Sequence, residues 1–421
     1  MSLMNETNTG SITNFDYWKS AYAGRASNLS VSEVRALFAV VSRPEVVSLA
    51  GGMPDVSELP TEGLNKAYES LMSTRRDLAL QYGGGQGDAK LREQIVEIMA
   101  LEGIHGSAED LLVTTGSQHG LDLLADLFID PGDVVLLESP SYVGAVGIFR
   151  HKEAEMVHLH TDNEGLSPES LQQEVTRLKG LGKKIKLLYL VPTFANPSGV
   201  TIPQSRREEI LAICENEGIL IVEDNPYGQL YFDEVPPNAM RSMSEQHVVY
   251  LGSFSKILTP GLRVGYVLAP PAIREKLTLA NESAILSPAM FGQMLVSEYL
   301  TVNDWKGQIA HFRDLYRKKR DAAIEAIDKH LPDIETTRPK GGFFLWVTMP
   351  EGIDSKAMLP LAVSELVAYT PGTAFYGNGM GKNNLRVCFS HPSIERVSIG
   401  IQRLSTVINN QIELLKTFDA E

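Results

Sequence analysis

The sequence predicts an α/β protein with a mostly parallel central sheet, helices on both of its faces, and a smaller α/β domain after it. Three observations carry that expectation. Short apolar runs without polar alternation recur at 111–115, 134–138, 186–191, 219–224, 248–251 and 264–268, as strands buried on both faces require. Helical patterns stand between several of them, at 121–128 and 205–217, so strand and helix alternate. Beyond Ser287-Pro288 the pattern changes to long, charge-rich helices and two strands of a more antiparallel kind.

A chain of 421 residues, 43% hydrophobic, holds two domains or one large domain with an appendage. Two cysteines, Cys214 and Cys388, make no disulfide framework, and no cysteine or histidine spacing matches a metal site. A reducing cytoplasm is the expected setting. The stretch 1–17 is polar, without a secretory pattern, and no apolar run reaches spanning length, so a soluble, unexported protein is expected. Met1-Ser2-Leu3, ahead of Met4, has the look of an expression remnant. With 38 basic against 52 acidic residues, a net charge of −14 and no long basic stretch, nucleic acid is not an expected partner. No internal repeat points to a scaffold.

From Tyr17 to about Val41, Leu29, Val34, Leu37 and Phe38 fall at helical spacing, with Ser30 or Ser32 as a cap before Glu33. Gly51-Gly52-Met53-Pro54-Asp55 then forces a turn. Around Tyr82, Gly83-Gly84-Gly85-Gln86-Gly87 bends the backbone before a helical pattern at 89–101; by its residues alone this is a flexible loop with one aromatic anchor. The run at 111–115 is broken by Gly116-Ser117-Gln118 and followed by a helix. Strand, glycine turn and helix N-terminus together make an anion site from free N–H groups and the helix dipole.

The run at 134–138 ends in Ser139-Pro140-Ser141-Tyr142, and the run at 186–191 leads to Asn196-Pro197. The run at 219–224 ends on Asp224, just before Asn225-Pro226-Tyr227-Gly228. Functional residues of a parallel sheet gather at strand C-terminal ends, where Asn196 and Asp224 stand. A carboxylate there is costly unless something pairs it. Taken singly, Asp224 would serve as a helix cap, Asn196 as a turn residue and Tyr142 as a core tyrosine. At 384–390, Arg386 interrupts an apolar run; a buried guanidinium needs a planar anion, and a structural glutamate would also satisfy it.

Ser253-Phe254-Ser255-Lys256 and Arg263 lie in a loop between the runs at 248–251 and 264–268. An ammonium beside core strands loses hydration unless it is used or paired. A nucleophilic amine that forms a Schiff base would use it, with Ser253, Ser255 and Arg263 holding a phosphate; a solvated turn with an ordinary lysine is the competing reading.

In this order, Gly116-Ser117-Gln118, Tyr142, Asn196-Pro197, Asp224 with Tyr227, Ser253 through Lys256, Arg263 and Arg386, the chain resembles the fold-type-I pyridoxal phosphate (PLP) enzymes of aminotransferase class I/II over nearly its whole length. It is most similar to the branch of 2-aminoadipate, kynurenine and aromatic aminotransferases. The resemblance implies that Lys256 bonds the cofactor covalently and carries the proton, and that Asp224 pairs with the ring nitrogen. It implies that Asn196 and Tyr227 donate to the ring's phenolate oxygen, that Tyr142 stacks on the ring, and that Ser117, Gln118, Ser253, Ser255 and Arg263 surround its phosphate. Arg386 would take the substrate α-carboxylate, with Asn196, Gly52 and Arg25 near the substrate, although an arginine as early as Arg25 is also an ordinary surface charge. Tyr82 would reach the cofactor of a second subunit, so a homodimer with shared sites is implied.

The same resemblance implies an N-terminal segment 1–50 beside the small domain and the substrate entrance, a large PLP-binding domain 51–290 and a small domain 291–421. The expected reaction is transfer of an amino group from an L-amino acid, of 2-aminoadipate, aromatic or other bulky type, to a 2-oxo acid such as 2-oxoglutarate. A PLP lyase, racemase or decarboxylase would share every cofactor residue. A regulator built on this fold would need a winged helix-turn-helix domain, for which the residues ahead of Gly51 are too few.

Overall fold

The computed structural model describes residues 16–29 and 43–419. Of the helix expected from Tyr17 to about Val41, Val34, Leu37 and Phe38 and the proposed caps lie outside the described residues. Before them Gly24–Asn28 forms a 3-10 turn, and Leu29 is exposed.

Seven strands form the central sheet: β2 (Leu111–Thr114), β3 (Val134–Glu138), β4 (Glu155–Leu159), β5 (Ile185–Leu190), β6 (Leu220–Asp224), β7 (Val248–Ser253) and β8 (Gly265–Leu268). β1 (Val47–Ser48) belongs elsewhere, pairing in parallel with β11 (Val367–Ala368). The central order is β2-β8-β7-β6-β5-β3-β4, parallel except for β8, which runs antiparallel to both of its neighbours. That one reversal has a local cause. The stretch 254–264 between β7 and β8 holds only the short turn Pro260–Leu262, whereas a parallel return would need a crossover helix.

The apolar runs bury both faces because successive side chains alternate across the sheet. Val135, Leu137, Tyr189, Val222, Leu251 and Val267 share a core with α3 (Ser117–Phe128) and α4 (Val143–His151). Val134, Leu136, Leu188, Leu190, Ile221 and Val248 turn the other way, onto α5 (Pro168–Gly180) and α6 (Gln204–Glu217). At about 25 cal/mol per Å² of apolar area removed from water, these two layers are the main stabilising term of this half of the chain.

A four-stranded antiparallel sheet follows: β9 (Glu335–Thr336), β10 (Phe344–Thr348), β13 (Asn384–Cys388) and β12 (Thr370–Pro371), in that order. Leu345, Val347, Leu385 and Val387 pack against α9 (Trp305–His330), α10 (Ser355–Ser364) and α11 (Ile394–Asp419). Trp346 and Arg386 are cross-strand partners and lie on the opposite face, with Phe344 and Cys388. α1 (Thr61–Thr74) and α2 (Ala89–Ala100) pack against α8 (Met290–Val302), and α7 (Pro271–Ile285) packs against α3. Strand β10 begins at Phe344 rather than at Gly341, because Gly342 sits in the left-handed region with φ +72°. None of the described helices is long and apolar enough to cross a membrane.

Candidate active site

Because β5, β6 and β7 run the same way, their C-terminal ends fall on one edge of the sheet, and that edge faces the outward side of β13. Between them is a cavity of about 270 Å³. It is lined by Gly52, Ser117, Gln118, Tyr142, Asn196, Asp224, Tyr227, Ser253, Ser255, Lys256, Arg263 and Arg386. Twelve side chains or backbone segments scattered over the sequence thus meet in one place. A larger cleft of about 760 Å³, running past Ser139-Pro140, Ser198 and Arg338, contains none of them. Volume does not mark the site; chemistry does.

Asp224 ends β6 and is buried. No helix begins after it, which removes the capping alternative. Its Oδ2 accepts a hydrogen bond from the Tyr189 hydroxyl at 2.8 Å, while Oδ1 is buried without a partner. Burial pushes its pKa up to about 6, against the Tyr189 hydrogen bond and the charge of Lys256. A cationic N–H donor is the partner such an oxygen lacks.

Lys256, half-buried, donates from Nζ to the Gly52 carbonyl at 2.6 Å and lies 5.8 Å from the centre of the Phe343 ring. Desolvation brings its pKa down to about 8; Arg386 and Arg263 push the same way, and Cys388 and Asp224 oppose them. At neutral pH about a tenth of such an amine is unprotonated and nucleophilic.

At the other end of the cavity, Gly116 adopts φ +79° and opens α3 with no side-chain cap, so the first N–H groups of that helix are available to an anion. Only glycine fits there: a Cβ would fall 2.3 Å from Arg263 Nη2. Arg263 itself has φ +53°, a strained value for a side chain of its size. Ser253 and Ser255 sit beside them, the Ser253 hydroxyl accepting from the Ser255 N–H at 3.1 Å. Two hydroxyls, a guanidinium and a helix N-terminus have the chemistry of a phosphate cradle.

Arg386 is buried, with Nη1 donating to Asn196 Oδ1 at 2.8 Å and Nη2 to Ala50 O at 2.6 Å, Gly51 O at 3.0 Å and Thr370 Oγ1 at 3.2 Å. Every one of these acceptors is neutral, and Nε has no partner. The structural ion pair considered above is therefore not formed among the described residues, and burial lowers the pKa of this guanidinium. It lies 4.3 Å over Phe344 and 5.0 Å from the Phe375 ring centre. The turn beside it is anchored by Lys319, which bonds Asp55 Oδ2 at 2.7 Å and Ser390 O at 2.8 Å.

Tyr142 bonds Gln118 Oε1 through its hydroxyl at 3.2 Å, and burial pushes its pKa up to about 12. Tyr227 packs edge-on to Phe343 and Phe344, and burial holds its pKa well above the ordinary phenol value. Two expected residues stand apart. Tyr82 is 78% exposed on its glycine loop, and Arg25 is exposed in the 3-10 turn that packs on α4; neither lines the cavity of this chain. No group of three or more His, Cys, Asp or Glu among the described residues could hold a metal ion.

Sequence reasoning does not reach three buried residues around the site. Tyr189 is hidden inside an apolar run, marked only by its polar tip. Arg207, on α6, spends its five N–H groups on the loop that carries Asn196 and on the stretch facing it: Pro192 O, Thr193 Oγ1 and Ile202 O at 2.8–2.9 Å, Asn238 O at 2.9 Å and Pro237 O at 3.5 Å. Glu102 accepts from Asn225, Gln229 and Tyr250. On a helix and in the turn after one, the two charges look in the sequence like ordinary solvated ones.

A mostly parallel sheet with a paired acid, a depressed lysine and an anion cradle at one edge defines an enzyme of PLP fold type I, and the residues present fit that cofactor: the orphaned Asp224 oxygen suits a protonated ring nitrogen and the uncapped α3 suits a phosphate. More closely, the chain belongs to the class I and II aminotransferases, whose family model matches residues 45–404. It is 37% identical over 401 residues to aromatic-amino-acid aminotransferase 1 of Thermococcus litoralis, covering 94% of this chain and 96% of that one. To the 2-aminoadipate transaminase of Thermus thermophilus it is 34% identical over 403 residues, covering 94% and 99%. Among solved structures, kynurenine aminotransferase of Pyrococcus horikoshii, in complex with PMP, KYN as substrates and KYA as products, superposes with a TM-score of 0.89 at 37% identity, covering 93% of this chain and 97% of that one.

Proposed function

We propose that this PLP-dependent aminotransferase takes an L-amino acid of 2-aminoadipate, aromatic or other bulky type as donor and a 2-oxo acid such as 2-oxoglutarate as acceptor. The donor class rests on the names of the relatives above and on the polar and aromatic surroundings of Arg386. The observation that carries the mechanism is the pairing, within one cavity, of a lysine whose pKa is near neutrality with an aspartate whose second oxygen lacks a partner.

When bound, pyridoxal phosphate supplies a cationic conjugated ring that accepts the electron pair left as the substrate's Cα–H bond breaks. Asp224, whose carboxylate Tyr189 holds, would accept from the cofactor's protonated ring nitrogen. Lys256 Nζ would hold the cofactor through its amine and, once freed by the substrate, would carry the proton of the substrate's α carbon. Its pKa near 8 suits both the uptake and the return of that proton. Arg386 would present its fork to the substrate α-carboxylate and so orient the Cα–H bond, while Asn196 and Tyr227 would donate to the ring oxygen. Ser117, Gln118, Ser253, Ser255 and Arg263 would hold the phosphate, and Tyr142 would lie against the ring.

We read the enzyme as a cytoplasmic homodimer. Its two cysteines are free and buried. The loop at 83–85 lies on Met290 and Glu282, where a Cβ on Gly83 or Gly85 would come within 2.2 Å of their side chains, and Tyr82 on it is exposed, as are Leu78, Leu80 and Leu286. Exposed apolar side chains of this kind fit a second copy of the chain, whose site Tyr82 would enter. We propose the division into 51–290 and 291–421, with 1–50 as the segment at the entrance, amended in one respect: α8 packs on α1 and α2 and so belongs with the larger portion, which moves the boundary past Val302. A donor screen with 2-oxoglutarate that follows glutamate formation tests the substrate class; activity confined to small donors such as alanine would contradict it.

A further inference from the structure

Glu102, just past the end of α2, is buried deep behind the sheet edge, away from the cavity. Its Oε2 accepts from Asn225 Nδ2 at 2.7 Å and from the Tyr250 hydroxyl at 2.5 Å; its Oε1 accepts from Gln229 Nε2 at 2.9 Å. Asn225 and Gln229 stand two residues before and two residues after Tyr227. Between them Gly228 presses so close that a Cβ would lie 2.6 Å from Glu102 Oε1. Gln229 is gripped from its other side as well, its carbonyl accepting from Arg313 Nε at 2.7 Å. A lone buried carboxylate is costly, and no cation among the described residues lies within ion-pair distance to offset it; Arg207 acts only through space, and Glu223 repels. What only a carboxylate provides here is two acceptor oxygens for three donors, two from the 225–229 turn and one, Tyr250, from β7.

We infer that Glu102 is a positioning residue for the active site, its carboxylate clamping Asn225 and Gln229 so that the turn beginning at Asp224 presents Asp224 and Tyr227 to the cofactor in fixed register. The inference rests on the functional reading above. Its mechanism is indirect: Glu102 touches neither cofactor nor substrate, and acts by denying the turn other conformations. Burial raises the pKa of Glu102 to about 7, which is consistent with a group held by neutral donors alone.

The test compares the parent protein with Glu102→Ala, Glu102→Gln and Gly228→Ala. Two readouts are needed: pyridoxal phosphate binding followed by visible absorbance across pH, and amide hydrogen exchange at 224–230 in cofactor-free protein. We expect Glu102→Ala and Gly228→Ala to weaken cofactor retention on the order of tenfold, as loss of an orienting outer partner does, to shift the pH midpoint of the visible band, and to speed exchange at 224–230 more than elsewhere. Glu102→Gln, which keeps the shape and one acceptor, falls between. A lower melting temperature with an unmoved band midpoint and unchanged cofactor affinity would make Glu102 a merely structural acid and overturn the inference. If Glu102→Ala fails to fold, the other two variants decide. Exchange at 224–230 needs no cofactor, so a parent protein that bound no pyridoxal phosphate would sink the functional reading while the exchange data still judged the clamp.

Discussion

Tyr189 donates its hydroxyl to Oδ2 of Asp224 at 2.8 Å, and the other oxygen of that carboxylate is buried with nothing to accept from. The acid is thus held on one side and open on the side that faces the cavity. Tyr189→Phe removes the one hydrogen bond that the described residues give this carboxylate. Unfolding by urea should report a loss of about 1–3 kcal/mol, the cost of leaving a buried acceptor unmet. Cofactor affinity should fall with it, because the carboxylate no longer points at one place. A variant as stable and as tightly loaded as the parent would show the bond to be incidental.

The pH dependence of stability follows from the same carboxylate. Burial raises the folded pKa of Asp224 from 3.8 to about 6, so between these values the native chain binds more protons than the unfolded one. Its contribution to the stability of cofactor-free protein is therefore complete below about pH 4 and is lost as pH rises through 6. Loading with pyridoxal phosphate supplies a cation and should flatten that stretch. Melting temperatures of empty and loaded protein from pH 4 to 8 check this, and parallel curves would contradict it.

Arg386→Lys keeps the charge and loses the fork. An ammonium cannot serve Asn196 and a substrate carboxylate in one plane, so kcat/KM for the amino acid should drop by about 10²-fold, with both half-reactions affected. Steady-state kinetics with donor and 2-oxoglutarate varied in turn measure it. A loss confined to one substrate would assign Arg386 to a different group.

Arg207→Met takes the side-chain donors from the carbonyls of Ile202 and Asn238, leaves Pro192 O only its bond from the Ile202 N–H, and frees a loop in which Phe194 sits at φ +52°. The penalty should exceed about 2 kcal/mol in denaturant unfolding, since several acceptors lose a donor at once. Cofactor-loaded protein should also show weaker substrate binding, because this loop carries Asn196.

Much of this architecture was legible in the residues themselves. Strands such as 134–138 and 219–224 are apolar on both faces and announce a covered parallel sheet, and Asp224, Lys256 and Arg386 stand out because a charge inside an apolar run demands a partner. The reversed strand β8 was less legible: its direction is set by the shortness of the 254–264 connection, and its apolar run looks the same either way up. Glu102 and Arg207 escaped for the opposite reason to Lys256. Arg207 sits among polar helical neighbours and Glu102 in the turn that ends a helix, and only the folded chain shows that each side chain turns inward. Helices α1, α4, α5, α7 and α10 also went unmarked, since their apolar stripes are short and interrupted.

The central claim is that Lys256 is the residue that bonds the cofactor, and it can be read directly. Protein incubated with pyridoxal phosphate, reduced with borohydride, digested and sequenced by mass spectrometry should carry a phosphopyridoxyl group on Lys256 in the peptide that follows Ser253, and Lys256→Ala should carry none. A reduced adduct on some other lysine, or an unlabelled Lys256 in protein that transaminates, would contradict the account.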